Sequence, residues 1–290
     1  MTLSDADLRR LADVAIDAAT SAGEMIVRAA PAKVDRKPGV ASPAAQVVTD
    51  VDRHSESIIL DRLRPTIERH GIGLLTEERA DDESRRTAAY FWCVDPLDGT
   101  LPFVEGRPGS AVSIALVRHD GTPVIGVIFD LSENVVLHAI AGGGAFVDGR
   151  AWSSPPQRSA SLAMYADRSF VAIPDADDVL ADLDRLAVEA GLLGVDLRVG
   201  AGAVVNACSV LRSPPGCYLK LPARSGGGSV WDFAASACLF EACGSVVSDV
   251  FGAALDLNPV GSTFMHERGV LFATDADLAR RLRELVARRR

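Results

Sequence analysis

An apolar run that ends abruptly in polar residues is the feature of this sequence that most restricts its fold. Residues 91–94 are apolar, and residues 95–100 follow with the sequence Asp-Pro-Leu-Asp-Gly-Thr. This pattern predicts a buried strand that carries Asp95 to the edge of a sheet, where a proline ring restricts the path of the chain. Gly99 then permits backbone conformations that other residues resist. We therefore expect Asp95 and Asp98 to converge on one point.

The two carboxylates at this spacing predict a site for a cation. Carboxylates at close range repel each other unless positive charge lies between them. Ligand sets made only of oxygen atoms suit a hard cation such as Mg²⁺. The segment therefore predicts a metal site at the end of a strand, and metal sites of this kind commonly act on phosphate.

The length of 290 residues suits two packed subdomains better than one compact core. We predict an N-terminal subdomain over residues 1–152 with a mainly antiparallel sheet, because short glycine-containing turns separate its strands. Helices and strands alternate in the C-terminal subdomain, residues 153–290, where we predict a strand near 169–173. The proline-containing segment 153–159 is the candidate linker. The pattern as a whole predicts a layered α/β fold.

Charge and composition exclude several classes of protein. The net charge is −9 and no basic cluster is present, so we expect no DNA or RNA polymer as a partner. An anionic substrate is compatible with this charge, because a bound cation can invert the local field. No apolar run approaches the ~20 residues that cross a bilayer, and no signal-peptide pattern is visible. The five cysteines include no Cys-x-x-Cys pair, which predicts buried thiols in a reducing cytoplasm.

Acidic residues stand at the boundaries of several predicted elements. They are Asp50 and Asp52 after a strand, Glu77 and Glu78 at the end of the next strand, Asp95 and Asp98, and Asp232 at the start of an apolar helix. Taken alone, Asp52 or Asp232 is explained by helix capping and by the helix dipole. A solvated strand end explains the glutamate pair. The conjunction of all these acids favours a shared site.

Four segments occur in an order that resembles the motifs of the inositol monophosphatase superfamily, which are Mg²⁺-dependent, lithium-sensitive phosphomonoesterases. They are residues 49–56, 76–78, 95–100 and 230–235. The Asp-Pro-Leu-Asp-Gly-Thr and Trp-Asp motifs together are highly specific, and the resemblance runs from residue 4 to the C-terminal helix. It implies an αβαβα sandwich of the sugar-phosphatase type, two or three Mg²⁺ ions and a small phosphorylated metabolite as substrate.

The resemblance also implies metal ligands by position. Glu77, Asp95 and the backbone carbonyl of Leu97 would hold the first metal. Asp95, Asp98 and Asp232 would hold the second, with Asp95 bridging the two. Two metals at short separation can activate water on one side and neutralise the leaving oxygen on the other.

The remaining roles concern the attacking water and the phosphate. Asp52 would lie near a further metal water, and Thr100, paired with Glu77 or Asp52, would orient the attacking water. Asp98 would contribute to phosphate binding together with the backbone N–H groups of Gly99 and Thr100, since free N–H groups of this kind bind phosphate. No covalent enzyme intermediate is needed, and the sequence contains no Gly-x-Ser-x-Gly motif.

This chain departs from the family pattern at several positions. Gln46 replaces the acid that usually precedes the Val-Thr of the first motif, and Thr76 replaces the glycine that usually precedes Glu-Glu. Leu101 and Pro102 follow Thr100, where the family often has polar residues. We expect these changes to affect the third-metal region and the lid over the site, but not the first two metal sites.

The segment before the Trp-Asp motif bears on the substrate. Inositol-specific members carry a glutamate there that binds substrate hydroxyls, whereas residues 218–222 read Tyr-Leu-Lys-Leu-Pro. This string is similar to the 3′(2′),5′-bisphosphate nucleotidase branch of the superfamily. It favours a bisphosphonucleotide such as 3′-phosphoadenosine 5′-phosphate as substrate, with Lys220 contacting the second phosphate. The alternative for Lys220 is a solvated position on a strand.

Other functions remain open at this stage. The substrate alternatives are an inositol monophosphate and a sugar bisphosphate such as fructose 1,6-bisphosphate. A phosphatase of the haloacid dehalogenase type is disfavoured, because two residues separate Asp95 from Asp98 where that family has one. A non-catalytic relative that binds phosphometabolites is an alternative of another class. Family members are often dimers and nucleotidase relatives can be monomers, so a homodimer is one expected state.

Overall fold

The computed structural model describes residues 2–29, 34–36, 47–157 and 159–289. Gln46 lies outside the described residues. The helices are α1 (Asp5–Arg28), α2 (Asp50–His70), α3 (Thr100–Val104), α4 (Ala176–Glu189), α5 (Ala203–Arg212), α6 (Val230–Ala242) and α7 (Ala276–Arg288). The strands are β1 (Val34–Arg36), β2 (Val47–Thr49), β3 (Gly73–Thr76), β4 (Tyr90–Asp98), β5 (Ala111–Arg118), β6 (Pro123–Asp130), β7 (Val135–Ile140), β8 (Gly144–Val147), β9 (Arg150–Trp152), β10 (Leu162–Ala166), β11 (Val195–Val199), β12 (Gly216–Lys220), β13 (Val246–Ser248) and β14 (Val270–Ala273).

The first large sheet has seven strands in the order β3-β4-β5-β6-β7-β8-β9. Strand β3 is parallel to β4, and the other neighbours are antiparallel. Strand β4 is buried along its whole length because both of its faces are covered. Phe91 and Cys93 face the second sheet, whereas Trp92 and Val94 pack with α1 and α2. This explains why the sequence there is continuously apolar.

The second large sheet has five strands in the order β11-β10-β12-β14-β13, and it begins at Leu162. The predicted strand near 169–173 is wrong, since Phe170–Ala172 forms a short 3₁₀ turn and the strand is β10. Strand β10 has the sequence Leu-Ala-Met-Tyr-Ala, whose leucine, alanine and methionine favour helices, so tertiary burial overrides its propensity. Within the 3₁₀ turn, the Phe170 side chain is buried, whereas its neighbour Val171 is exposed.

The layers follow an αβαβα order, as the sequence predicts. Helices α1 and α2 cover the outer face of the seven-stranded sheet, and α4 and α7 cover the outer face of the five-stranded sheet. Helices α5 and α6 lie between the two sheets and share one core with both. A side chain at Gly126 of β6 would place its Cβ 2.4 Å from the carbonyl oxygen of Ala235. Glycine there lets α6 approach the first sheet closely.

Local signals in the sequence account for the ends of several helices. Ser4 and Asp7 form a capping box at the start of α1, in which each side chain accepts a hydrogen bond from the other residue's backbone N–H. Within the part of the chain that the structure describes, no helix combines the length and apolar character that crossing a membrane requires.

The cysteines are all free thiols; four are buried and Cys243 is half-buried. Burial raises the pKa of Cys208 to about 12, which keeps its thiol protonated.

Candidate metal centre

Strand β4 delivers two carboxylates to its end through an irregularity in its pairing. On a regular strand, residues three positions apart point to opposite faces, so Asp95 and Asp98 would diverge. The pairing of β4 with β5 shifts register between these two residues. Leu97 consequently packs with the α1 and α2 side, away from the face that regular alternation gives it, and its N–H donates to Asp95 Oδ1 over 3.0 Å. The break in register lets both acids face the space between the sheets.

Asp232 completes a cluster of three acids. Carboxylate oxygens of Asp95, Asp98 and Asp232 lie within 4.8 Å of one another. Asp232 belongs to the first turn of α6, where its Oδ2 accepts the N–H of Ser229 over 2.7 Å in a capping box. This residue therefore caps α6, and its carboxylate also belongs to the acid cluster. The hydroxyl of Ser113 on β5 donates to the Trp231 carbonyl over 3.2 Å, which fixes the start of α6 against the first sheet.

Asp98 also caps α5, a contact that sequence reasoning missed. Its two carboxylate oxygens accept the backbone N–H groups of Ala203 and Val204 over 3.1 and 2.9 Å. A Cβ at Gly202 would lie 2.3 Å from Asp98 Oδ2, so only glycine leaves room for the carboxylate. The signal in the sequence that could have indicated this contact is the glycine directly before the helix. The contact connects the acid cluster to the helix N-terminus, whose partial positive charge favours a carboxylate.

Glu77 lies at the end of β3, next to Asp95. Strands β3 and β4 are parallel with Thr76 opposite Val94, and the N–H of Glu77 donates to the Val94 carbonyl over 3.2 Å. The carboxyl ends of parallel neighbours meet at one edge of a sheet. Glu77 is close enough to Asp95 for its negative charge to raise the pKa of Asp95. The structure therefore brings Glu77 and Asp95 close together.

The electrostatics of the cluster fit a cation. Burial raises the pKa of Asp95 well above its ordinary value, and the negative charges of Glu77, Asp98 and Asp232 raise it further. Burial and the charge of Asp232 act in the same direction on the pKa of Asp98. Burial also raises the pKa of Asp232, although Lys220 opposes this shift. Such a group of oxygen donors with excess negative charge suits Mg²⁺, because the ion would favour the ionised form of every member.

Thr100 and Asp52 form the predicted pair beside the cluster. The Thr100 hydroxyl lies 3.1 Å from Asp52 Oδ1 and 3.1 Å from the carbonyl oxygen of Leu97. Asp52 is buried in the first turn of α2. Gly99 adopts the left-handed conformation with φ 74°, and Leu101 and Pro102 continue into the first turn of α3, where proline is tolerated.

Lys220 is not a solvated strand residue. Its side chain is only 13% exposed, its ammonium forms an ion pair with Asp167, and its Nζ lies 5.6 Å from the centroid of the Phe233 ring. Burial favours the neutral amine, but the charges of Asp167 and Asp232 outweigh it and raise the pKa of Lys220. Lys220 therefore stays charged beside the acid cluster.

Asp167 is a further acid of this region that sequence reasoning missed. Its Oδ1 accepts the Tyr218 hydroxyl over 2.9 Å and the Asn206 amide over 3.1 Å. Its charge also acts on Asp98 and Asp232. Asp167 directly follows β10, so it repeats the pattern of an acid at the end of a strand. The misplaced strand near 169–173 concealed this signal.

Comparisons with known proteins agree with the geometry. The model of the inositol monophosphatase family matches residues 7–289. Inositol monophosphatase 2 of Solanum lycopersicum is 29% identical over 260 residues, which cover 86% of this chain and 91% of that protein. Nus factor SuhB of Pseudomonas aeruginosa is 31% identical over 252 residues, which cover 84% and 87%. The solved inositol monophosphatase of Anabaena (Nostoc) sp. PCC 7120 has the same fold, with a TM-score of 0.71 at 22% identity over 97% and 96% of the chains. This chain belongs to the inositol monophosphatase family.

Proposed function

We propose that this protein is a Mg²⁺-dependent phosphatase that hydrolyses a small phosphate monoester with water as the nucleophile. The observation that carries the proposal is the convergence of three carboxylates within 4.8 Å, of which Asp95 and Asp98 are buried and Asp232 is half-buried. Membership of a family whose members are generally Mg²⁺-dependent phosphatases of small phosphorylated substrates supports it. Glu77 and Thr100 also support it, because they stand in the sequence at the motif positions to which the family resemblance gives a role.

We propose that these donors hold two or three Mg²⁺ ions. Glu77, Asp95 and the Leu97 carbonyl would hold one ion, and Asp95, Asp98 and Asp232 a second. Asp52 would lie near the water of a third. Bound Mg²⁺ supplies Lewis-acid charge that activates water and neutralises the departing oxygen.

The chain's own groups orient the reactants. The Thr100 hydroxyl donates its one proton to Asp52 or to the Leu97 carbonyl, so its oxygen can accept a hydrogen bond from a water. A water that donates to this oxygen would be held in one orientation for attack on the phosphorus of the substrate. The N–H groups of Gly99 and Thr100, at the start of α3, would donate to a phosphate oxygen. Asp52 is buried and holds the hydroxyl in one orientation.

We further propose a 3′(2′),5′-bisphosphonucleotide, such as 3′-phosphoadenosine 5′-phosphate, as the substrate. The charged Lys220 supports this choice, because it lies beside the acid cluster at the place where inositol-specific members use a glutamate. An ammonium has three donors, and the ion pair with Asp167 leaves others for an anionic group of the substrate. A second phosphate on the substrate would be such an anionic group. An inositol hydroxyl is neutral and does not need a cation beside it. Inositol 1-phosphate and fructose 1,6-bisphosphate are the alternatives.

A phosphate-release assay tests both levels of the proposal. The assay compares 3′-phosphoadenosine 5′-phosphate, inositol 1-phosphate and fructose 1,6-bisphosphate with Mg²⁺ present and with Mg²⁺ chelated. We expect release only with Mg²⁺ and the highest kcat/KM for the bisphosphonucleotide. The variants Asp95→Asn and Asp232→Asn should nearly abolish release while the fold stays intact. Rates like those of the unmodified protein in either variant would reject the site.

A non-catalytic relative is the second candidate. It is motivated by the Pseudomonas aeruginosa relative at 31% identity, whose name describes a factor and not a reaction. In this case no substrate of the panel releases phosphate. Phosphometabolite binding would then be equal in the unmodified protein and in Asp95→Asn, since no chemistry depends on the carboxylate.

A further inference from the structure

Glu56 contacts the chain on both sides of the turn that carries Glu77. The hydroxyl of Thr76 donates to Glu56 Oε1 over 2.9 Å. The Nε of Arg79 donates to Glu56 Oε2 over 2.8 Å. Residues 76 and 79 flank the Glu77-Glu78 pair, and each oxygen of the Glu56 carboxylate holds one flank.

The Glu56 carboxylate is buried, and its two hydrogen bonds offset the free energy lost on removing it from water. Glu56 is only 5% exposed, and a buried carboxylate is unfavourable unless it is paired and hydrogen-bonded. Two contacts on opposite sides of the short turn fix the orientation of the turn. A single contact would leave the turn free to rotate about it. The Glu77 N–H, which is bonded to the Val94 carbonyl, secures the turn to β4. These contacts therefore fix the backbone position from which the Glu77 side chain extends.

The same face of α2 also holds the end of β4. Asp52, Ser55 and Glu56 are spaced three and four residues apart, so they share one helical face. Asp52 accepts from Thr100, and the Ser55 hydroxyl donates to the Pro96 carbonyl over 2.6 Å. Helix α2 thus contacts both strand ends that carry the acids of the metal centre.

We infer that Glu56 is a positioning residue of the metal centre, which holds the turn of Glu77 so that its carboxylate meets Asp95. The inference rests on the proposed function, because it takes Glu77 as a metal ligand. It gives Thr76 a role as well: where the family usually has glycine, this chain has a hydroxyl that bonds to Glu56. Groups that hold metal ligands in place are known to affect metal affinity by about 10- to 100-fold.

Mg²⁺ binding measured by calorimetric titration tests the inference without relying on phosphate release. Thr76→Val removes the hydroxyl while preserving shape, and Glu56→Gln replaces the acceptor for Arg79 with an amide. We expect each variant to weaken Mg²⁺ binding about 10-fold. Thr76→Ser restores the donor and should keep the original affinity.

A matched control separates positioning from general stability. Thr66 of α2 is also buried, and it accepts the Trp92 indole N–H over 2.9 Å, at the opposite end of the helix from Asp52. Thr66→Val should lower the unfolding temperature without changing Mg²⁺ affinity. If Thr76→Val loses thermal stability but binds Mg²⁺ like the unmodified protein, the contact is only structural and the inference is wrong. If the unmodified protein itself binds no Mg²⁺, the proposed function fails first, and the inference with it.

Discussion

The hydroxyl of Thr100 lies 3.1 Å from the carboxylate of Asp52, although 48 positions separate the two residues in the sequence. Thr100 follows the end of β4, whereas Asp52 lies in the first turn of α2 on the outer side of the sheet. The pair therefore joins the strand that carries the acid cluster to the helix that covers it. Its geometry leaves the hydroxyl oxygen as an acceptor, which is the form needed to orient a water.

Removal of the Thr100 hydroxyl should lower kcat. We expect Thr100→Val to reduce kcat by about 100-fold or more, because a positioned group that directs a reacting proton contributes roughly 10²- to 10⁴-fold. Thr100→Ser keeps the oxygen and should retain most of the rate. Initial rates of phosphate release at saturating substrate and Mg²⁺ provide the measurement. A valine variant as fast as the serine variant would exclude a role for the hydroxyl.

The acid cluster should make the metal-free protein less stable as the pH rises. The folded-state pKa values of Asp95, Asp98 and Asp232 are raised, so folding favours their protonated forms. The stability that these groups contribute is present below the ordinary carboxyl pKa and is lost as the pH rises through the raised values. Asp95→Asn should therefore stabilise the metal-free protein, and its advantage should grow as the pH rises above the ordinary carboxyl pKa.

Thermal unfolding of both proteins with a chelator, and again with excess Mg²⁺, provides the check. Bound Mg²⁺ compensates the carboxylates and stabilises the folded state by mass action, so it should remove or reverse the advantage of Asp95→Asn. An advantage that shrinks with rising pH in the chelated samples would contradict the electrostatic account.

The sequence predicted the acids of the centre better than it predicted their surroundings. Asp95, Asp98 and Asp232 stand at element boundaries within specific motifs, so their convergence was visible in the chain. The role of Asp98 as the cap of α5 was not, since that contact joins residues more than a hundred positions apart. Asp167 was missed because the helix-favouring composition of residues 162–166 concealed a buried strand. Local patterns thus identified ligands, whereas long-range packing decided which other groups join them.

A buried arginine links two distant segments of the chain. Arg85 is only 1% exposed; its Nε donates to Asp81 over 2.7 Å, and its Nη1 donates to Asn258 Oδ1 over 2.6 Å and to the Pro259 carbonyl over 2.9 Å. The contacts connect the segment before β4 to the loop before β14. They therefore hold the N-terminal part of the chain to its C-terminal part.

Arg85→Met should destabilise the fold without altering the metal centre. The methionine fills part of the space but leaves the half-buried Asp81 and the buried Asn258 without their partner, and a buried acceptor left unpaired costs about 1–3 kcal/mol. Urea unfolding followed by circular dichroism measures the loss. Arg64→Met is the matched control, because the pair of Arg64 with Asp61 is exposed on both sides and its loss should leave the midpoint near the original value. Equal midpoints for the two variants would show that the buried contacts do not contribute.

Lys220 should decide between substrates with and without a second anionic group. Its ammonium is largely buried, stays charged and lies beside the acid cluster, so its loss should weaken binding of a second phosphate. We expect Lys220→Met to raise the KM for 3′-phosphoadenosine 5′-phosphate about 10-fold, the equivalent of one charge-assisted hydrogen bond, and to change the KM for inositol 1-phosphate much less. Lys220→Arg preserves the charge and should behave like the unmodified protein. The double variant Asp167→Asn with Lys220→Met removes both charges of the ion pair, so it shows whether an unpaired Asp167 causes the effect. If Lys220→Met raises both KM values equally, Lys220 supports the site without selecting the substrate.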